Sequence, residues 1–198
     1  LYENLRWKTI SPQGFRDEML AYLPNESNSL LFSMALSYLG DCQRIFPSDS
    51  RPLEQALWKI VTTNPVSQHR LQAFRLYRSI ADSEEAVQRL YTLWQERKAP
   101  KDCALSESDY IGLSYMLAMH LPEKADKIIA TQLSRIQNPD RKKEYQFISP
   151  SVSPRKAERD SVFASLLIAG NRRVEPWASS ALANLNHRLR EQESVAYI

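Results

Sequence analysis

Apolar residues recur along this chain at spacings of three and four, not two. Leu30, Leu31, Met34, Ala35, Tyr38 and Cys42 form one such stripe; Leu53, Ala56, Leu57, Ile60 and Val61 form the next. Leu71, Phe74, Leu76, Tyr77 and Ile80 follow, then Ala86, Val87, Leu90, Tyr91 and Trp94. Later stripes are Ile111, Leu113, Tyr115, Met116 and Met119; Ile128, Ile129, Leu133 and Ile136; Val162, Phe163, Leu166 and Leu167; and Ala178, Ala181, Leu182 and Leu185. Each predicts one buried face of an amphipathic helix. The expectation is an all-α fold of roughly nine to eleven helices with short connections. Antiparallel helix pairs of this length suit a HEAT/ARM-like α-α superhelix whose repeats have become degenerate.

The boundaries have chemical signals of their own. Asp82-Ser83-Glu84-Glu85 reads as a capping box with Asp82 at the cap, and Ser106-Glu107-Ser108-Asp109 as a similar start. Asn64-Pro65 and Asn138-Pro139 read as turns, because the residue before proline is pushed out of the helical region. Pro122 and Pro176 suit first helical positions, where a missing N–H costs little. Residues 146–154 carry two prolines and no stripe, and read as an ordered loop. No linker divides the chain, so 1–198 reads as a single helical domain.

Composition narrows the functional classes. Only four glycines occur in 198 residues, against a usual share of roughly 7%. Glycine-rich phosphate loops are absent, both G-x-G-x-x-G and the P-loop. No apolar run approaches the ~20 residues of a membrane span, so no membrane insertion is expected. Glu3, Asn4, Arg6 and Lys8 interrupt any signal-peptide pattern at the start. A first residue that is not methionine suggests a fragment or a processed protein.

The net charge of +3 is unevenly spread: residues 135–173 hold nine basic side chains against four acidic ones. The plain reading is a solvated surface. Such a segment could also attract carboxylates, phosphates or nucleic acid. No aromatic-interleaved platform or zinc-finger spacing accompanies it, so nucleic acid is not an expected partner.

Candidate chemistry is sparse. His69, His120 and His187 are far apart and no H-E-x-x-H occurs, so no metal or catalytic residue is assigned. His69 reads as a surface or cap residue; His120 and His187 read as cations at helix C-termini. Cys42 and Cys103 read as small apolar core residues, with a disulfide left open. Trp7, Trp58, Trp94 and Trp177 read as core anchors. No G-x-S-x-G elbow is present.

The end of the chain carries a resemblance. Asn171-Arg172-Arg173-Val174-Glu175-Pro176-Trp177, then Ala181-Leu182, Leu185, His187 and Leu189-Arg190, resembles an N-R-x-x-E-P-W-x-x-x-A-L-x-x-L-x-H-P-L-R pattern. That pattern belongs to the C-terminal helical region of bacterial aminopeptidase N-like zinc metallopeptidases. Arg188 departs from it, standing where the pattern has proline. Phe147-Ile148-Ser149-Pro150 and Arg159-Asp160-Ser161-Val162-Phe163 are similar to the family's lead-in; Leu1–Leu5, Ala73–Ala81 and Leu90–Trp94 are weaker likenesses.

The resemblance implies a part of an enzyme, not a whole one. Zinc, the H-E-x-x-H ligands and a G-x-M-E-N strand belong to a separate zincin domain of the same chain, and none of those motifs is present. This piece would be non-catalytic, without a cofactor of its own, and would enclose a chamber that limits peptide access. Arginines of this region could meet a peptide substrate's terminal carboxylate, which the planar guanidinium binds with two hydrogen bonds. Arg172 and Arg173 are the first candidates, with Arg155 and Arg159 behind them. The rival reading is a free-standing HEAT-like scaffold that binds a peptide or protein. Cytoplasmic and exported locations both stay open.

Overall fold

In a computed structural model describing residues 2–197, the chain is all-α: twelve α-helices and, among the described residues, no strand. Two compact units divide it, one up to Ser106 and one from Glu107. The count exceeds the expected range by one, and the two helices that no stripe announced are the short ones at the ends, Tyr2–Arg6 (α1) and Glu191–Ser194 (α12). Five and four residues are too few to show a periodic stripe.

The first unit continues with Pro12–Tyr22 (α2), Ser29–Ile45 (α3), Arg51–Thr63 (α4), Ser67–Ile80 (α5) and Glu84–Glu96 (α6). Helix α5 packs against both α3 and α4. Leu57, Val61, Phe74, Tyr77 and Leu90 are fully buried there, as their stripes predict. A second cluster gathers Leu5, Phe15 and Cys42, with Tyr2 stacked on Tyr38 at 4.4 Å.

Helix α3 departs from its predicted face. Phe32, Ala35, Leu36, Leu39 and Cys42 are buried, whereas Leu30 is 70% exposed and Leu31 and Met34 also face solvent. The helix has more apolar residues than one stripe can hold, and its neighbours cover the face through Phe32 and Leu36. Trp7 is a second departure: at 77% exposure it anchors no core. Trp94 is buried, and Trp58 and Trp177 are half-buried.

The second unit comprises Glu107–His120 (α7), Ala125–Arg135 (α8), Pro139–Ile148 (α9), Lys156–Leu166 (α10), Glu175–Leu185 (α11) and α12. Helices α7 and α8 pack together over Leu113, Leu117 and Ile128. Helix α11 packs on α9 and α10 through Leu166, Ala178 and Ala181. Asn138 caps α9, its side chain accepting from the amides of Asp140 and Arg141. The asparagine–proline turn thus serves as a helix start, with proline in the first turn where no donor is missed.

The stretch 146–154 is more regular than a loop. Helix α9 runs to Ile148, and a 3-10 turn spans Ser149–Val152. It is also buried: Ser149, Ser151, Val152 and Ser153 have almost no exposure. Helices α7, α9, α10 and α11 all touch the turn. Prolines hid this segment from a reading based on periodicity.

Candidate functional site

The four arginines singled out by sequence divide into two kinds. Arg159 is 2% exposed on α10. Its Nη1 donates to the carbonyls of Ser153 (2.8 Å) and Pro154 (2.9 Å), and its Nη2 to the Glu193 carboxylate. Arg155 is exposed, but its fork lies on Asp126 at 2.8 and 2.9 Å and on Glu158 at 2.6 and 3.2 Å. Hydrogen bonds from Arg155 hold both carboxyls below their ordinary range. Arg172 and Arg173 are exposed, and their guanidiniums have no hydrogen bond or ion pair among the described residues.

Arg172 ends a 3-10 turn, Ala169–Arg172, that links α10 to α11. Every residue from Leu167 to Pro176 is exposed, including Leu167 at 67%, Ile168 at 61% and Val174 at 43%. Behind this apolar and cationic edge, Trp177 meets Phe147 with ring centroids 5.8 Å apart. The free arginines therefore project from a packed base.

One arginine was missed by sequence. Arg190 donates to the carbonyls of Ser151 (3.1 Å) and Val152 (2.7 Å). Desolvation and the nearby Arg159 charge lower its pKa to about 10. Arg190 and Arg159 together satisfy four successive carbonyls, two in the buried turn (Ser151 and Val152) and two just after it (Ser153 and Pro154), a task that no linear motif announces. The basic segment is thus only in part the solvated surface it was expected to be.

The histidines serve structure. His69 is buried, not superficial: its ring stacks on Phe32 at 4.0 Å, and its Nε2 lies 3.1 Å from Ser29 Oγ. Its Nδ1 is buried with no hydrogen-bond partner. His187 lies two residues past the end of α11. Its Nδ1 accepts from the Leu189 amide at 3.4 Å, capping the 3-10 turn Arg188–Arg190. His120 is the last residue of α7, the place expected of it. Both cysteines are buried free thiols, and burial raises the Cys42 pKa.

Burial lowers the His69 pKa from 6.5, against the opposing pull of Glu26. The folded chain then binds fewer protons than the unfolded one just below that value. Stability is therefore complete above pH 6.5 and falls as the pH drops through it. Urea midpoints measured from about pH 8 to about pH 5 are expected to show this fall, and to show less of it in His69→Leu.

Among the described residues, no three His, Cys, Asp or Glu side chains come together as a metal site. No helix among them is long and apolar enough to cross a membrane. The sequence matches no family model and no curated protein, and the structure matches no solved one.

Proposed function

We propose that this chain is the non-catalytic C-terminal helical domain of a zinc-dependent aminopeptidase, a HEAT-like array that encloses the substrate chamber and limits which peptides enter. The zinc would be held by a zincin domain of the same protein, and no residue described here is assigned as its ligand. Support comes from one observation above all. The motif that carries the resemblance includes the two candidate arginines left without a partner, Arg172 and Arg173, beside the exposed Leu167, Ile168 and Val174. A cationic pair on an apolar edge suits a peptide carboxylate, because the fork of an arginine gains most where water is displaced. Arg155 and Arg159 are engaged elsewhere and are better read as structural.

Arg172→Ala and Arg173→Ala in the full enzyme test the role. The expected result is a fall in kcat/KM of about tenfold for peptides with a free C-terminus. The fall should be carried by KM and be small for the corresponding C-terminal amides. Unchanged kinetics across peptide lengths would remove these residues from it. The alternative, a free-standing scaffold for a peptide or protein, draws support from the exposed Leu30, Leu31 and Met34 of α3.

A further inference from the structure

We propose that the first unit carries a second, small-molecule site: a cleft that takes an aromatic ring bearing a single carboxylate. The cleft lies between α4, α6 and the loop that follows α6, with a volume of about 510 Å³. That is within the range of sites for small ligands. Trp58, Leu93, Ala99 and Pro100 supply apolar walls, and Lys98, Lys101 and Glu96 stand among its lining residues.

Both walls are preformed. The Arg89 guanidinium sits 4.7 Å from the Trp58 ring centroid, and the Tyr77 ring lies 5.1 Å away on a tilt. Arg89 is itself fixed by Tyr77 Oη at 3.0 Å and Glu85 Oε1 at 2.5 Å. The loop opposite begins and ends on left-handed residues, Arg97 with φ 55° and Asp102 with φ 58°. Non-glycine residues hold that conformation only where their surroundings impose it. Here the Lys98 amide donates to the Leu93 carbonyl and the Cys103 amide to that of Pro100. From α5, Arg70 Nη1 reaches the Lys101 carbonyl at 2.9 Å and Asp102 Oδ2 at 3.2 Å. A ligand would enter without ordering the loop, so little binding energy is lost to reorganisation.

Charge selects the ligand. Lys98 and Lys101 are exposed and make no ion pair among the described residues. Glu96 is equally unpaired, and the Arg89 charge is already met by Glu85. The cationic excess is therefore one, which favours a monoanion over a dianion or a cation. The site does not depend on the aminopeptidase reading.

Calorimetric titration of the full chain with 3-phenylpropionate and with 3-phenylpropionamide tests it. The acid is expected to bind with Kd of about 1 mM, and the amide about tenfold more weakly. The double variant Lys98→Gln, Lys101→Gln should weaken the acid to the level of the amide. Thr92→Trp, at an exposed helical position lining the cleft, should abolish binding by filling the space. No heat from the acid up to about 10 mM, acid and amide binding alike, or unchanged binding in the lysine variant would each overturn the proposal.

Discussion

Arg159→Leu is expected to destabilise the second unit by about 3 kcal/mol. The leucine covers the apolar stem of the arginine but gives nothing back to the carbonyls of Ser153 and Pro154. The Ser153 side of this contact is buried, so water does not replace the lost donor. Glu193 contributes less to the loss, because its own side chain is 48% exposed and returns to solvent. Arg159→Lys should recover little: one ammonium cannot reproduce the spread of a guanidinium that bonds two carbonyls and a carboxylate. The matched control is Arg155→Leu. Its bonds to Asp126 and Glu158 lie on the surface, where solvent screening leaves such pairs nearly neutral. Urea midpoints followed by circular dichroism give the magnitude. Faster amide exchange confined to residues 149–166 would place the loss at the turn.

Glu54→Ala is expected to cost the first unit a similar amount, about 3 kcal/mol. Glu54 is 3% exposed on α4 and serves the start of another helix. Its Oε1 accepts from the amides of Asp82 (2.8 Å) and Ser83 (3.1 Å), and its Oε2 accepts from the Ser83 hydroxyl. Ser83, not Asp82, is the side-chain cap of α6, accepting from the Ala86 amide at 3.2 Å. The carboxylate thus anchors the cap from outside the helix. Burial pushes its pKa up, but the hydrogen bonds from Ser83, Asp82 and Ser50 outweigh that and hold it below 4.5. The native state therefore favours the ionised form. This stabilisation is complete above pH 4.5 and is lost as the pH falls through the depressed folded value. Glu54→Gln keeps the shape and removes the charge. Its urea midpoint should lie below that of the native chain at neutral pH, and the gap should narrow on acidification.

These two residues show where a reading of the sequence stops. Leu53, Leu57, Ile60 and Val61 lie one helical turn apart, and all four are buried. Local signals such as Asn138-Pro139 also work, because cap and first turn are neighbours in the chain. Glu54 and Arg159 answer to groups up to 34 residues away, and four of their six partners are backbone carbonyls or amides of no distinctive sequence. A charged residue inside an otherwise helical stripe looks like solvent-facing surface until the partner is in place. The candidate arginines show the same limit. Nothing in the run from Arg155 to Arg173 separates the buried Arg159 from the free Arg172, since that difference arises only when the Ser149–Val152 turn is folded beneath α10. On α3, two apolar faces compete, and only packing chooses between Leu30 and Phe32.

The aminopeptidase reading is tested most directly by sequencing the coding frame upstream of the codon for Leu1. That frame is expected to continue for a few hundred residues and to encode H-E-x-x-H, a further glutamate downstream of it, and G-x-M-E-N. An initiation codon directly before Leu1 would contradict it, and the helical array would then have to be understood as a protein in its own right.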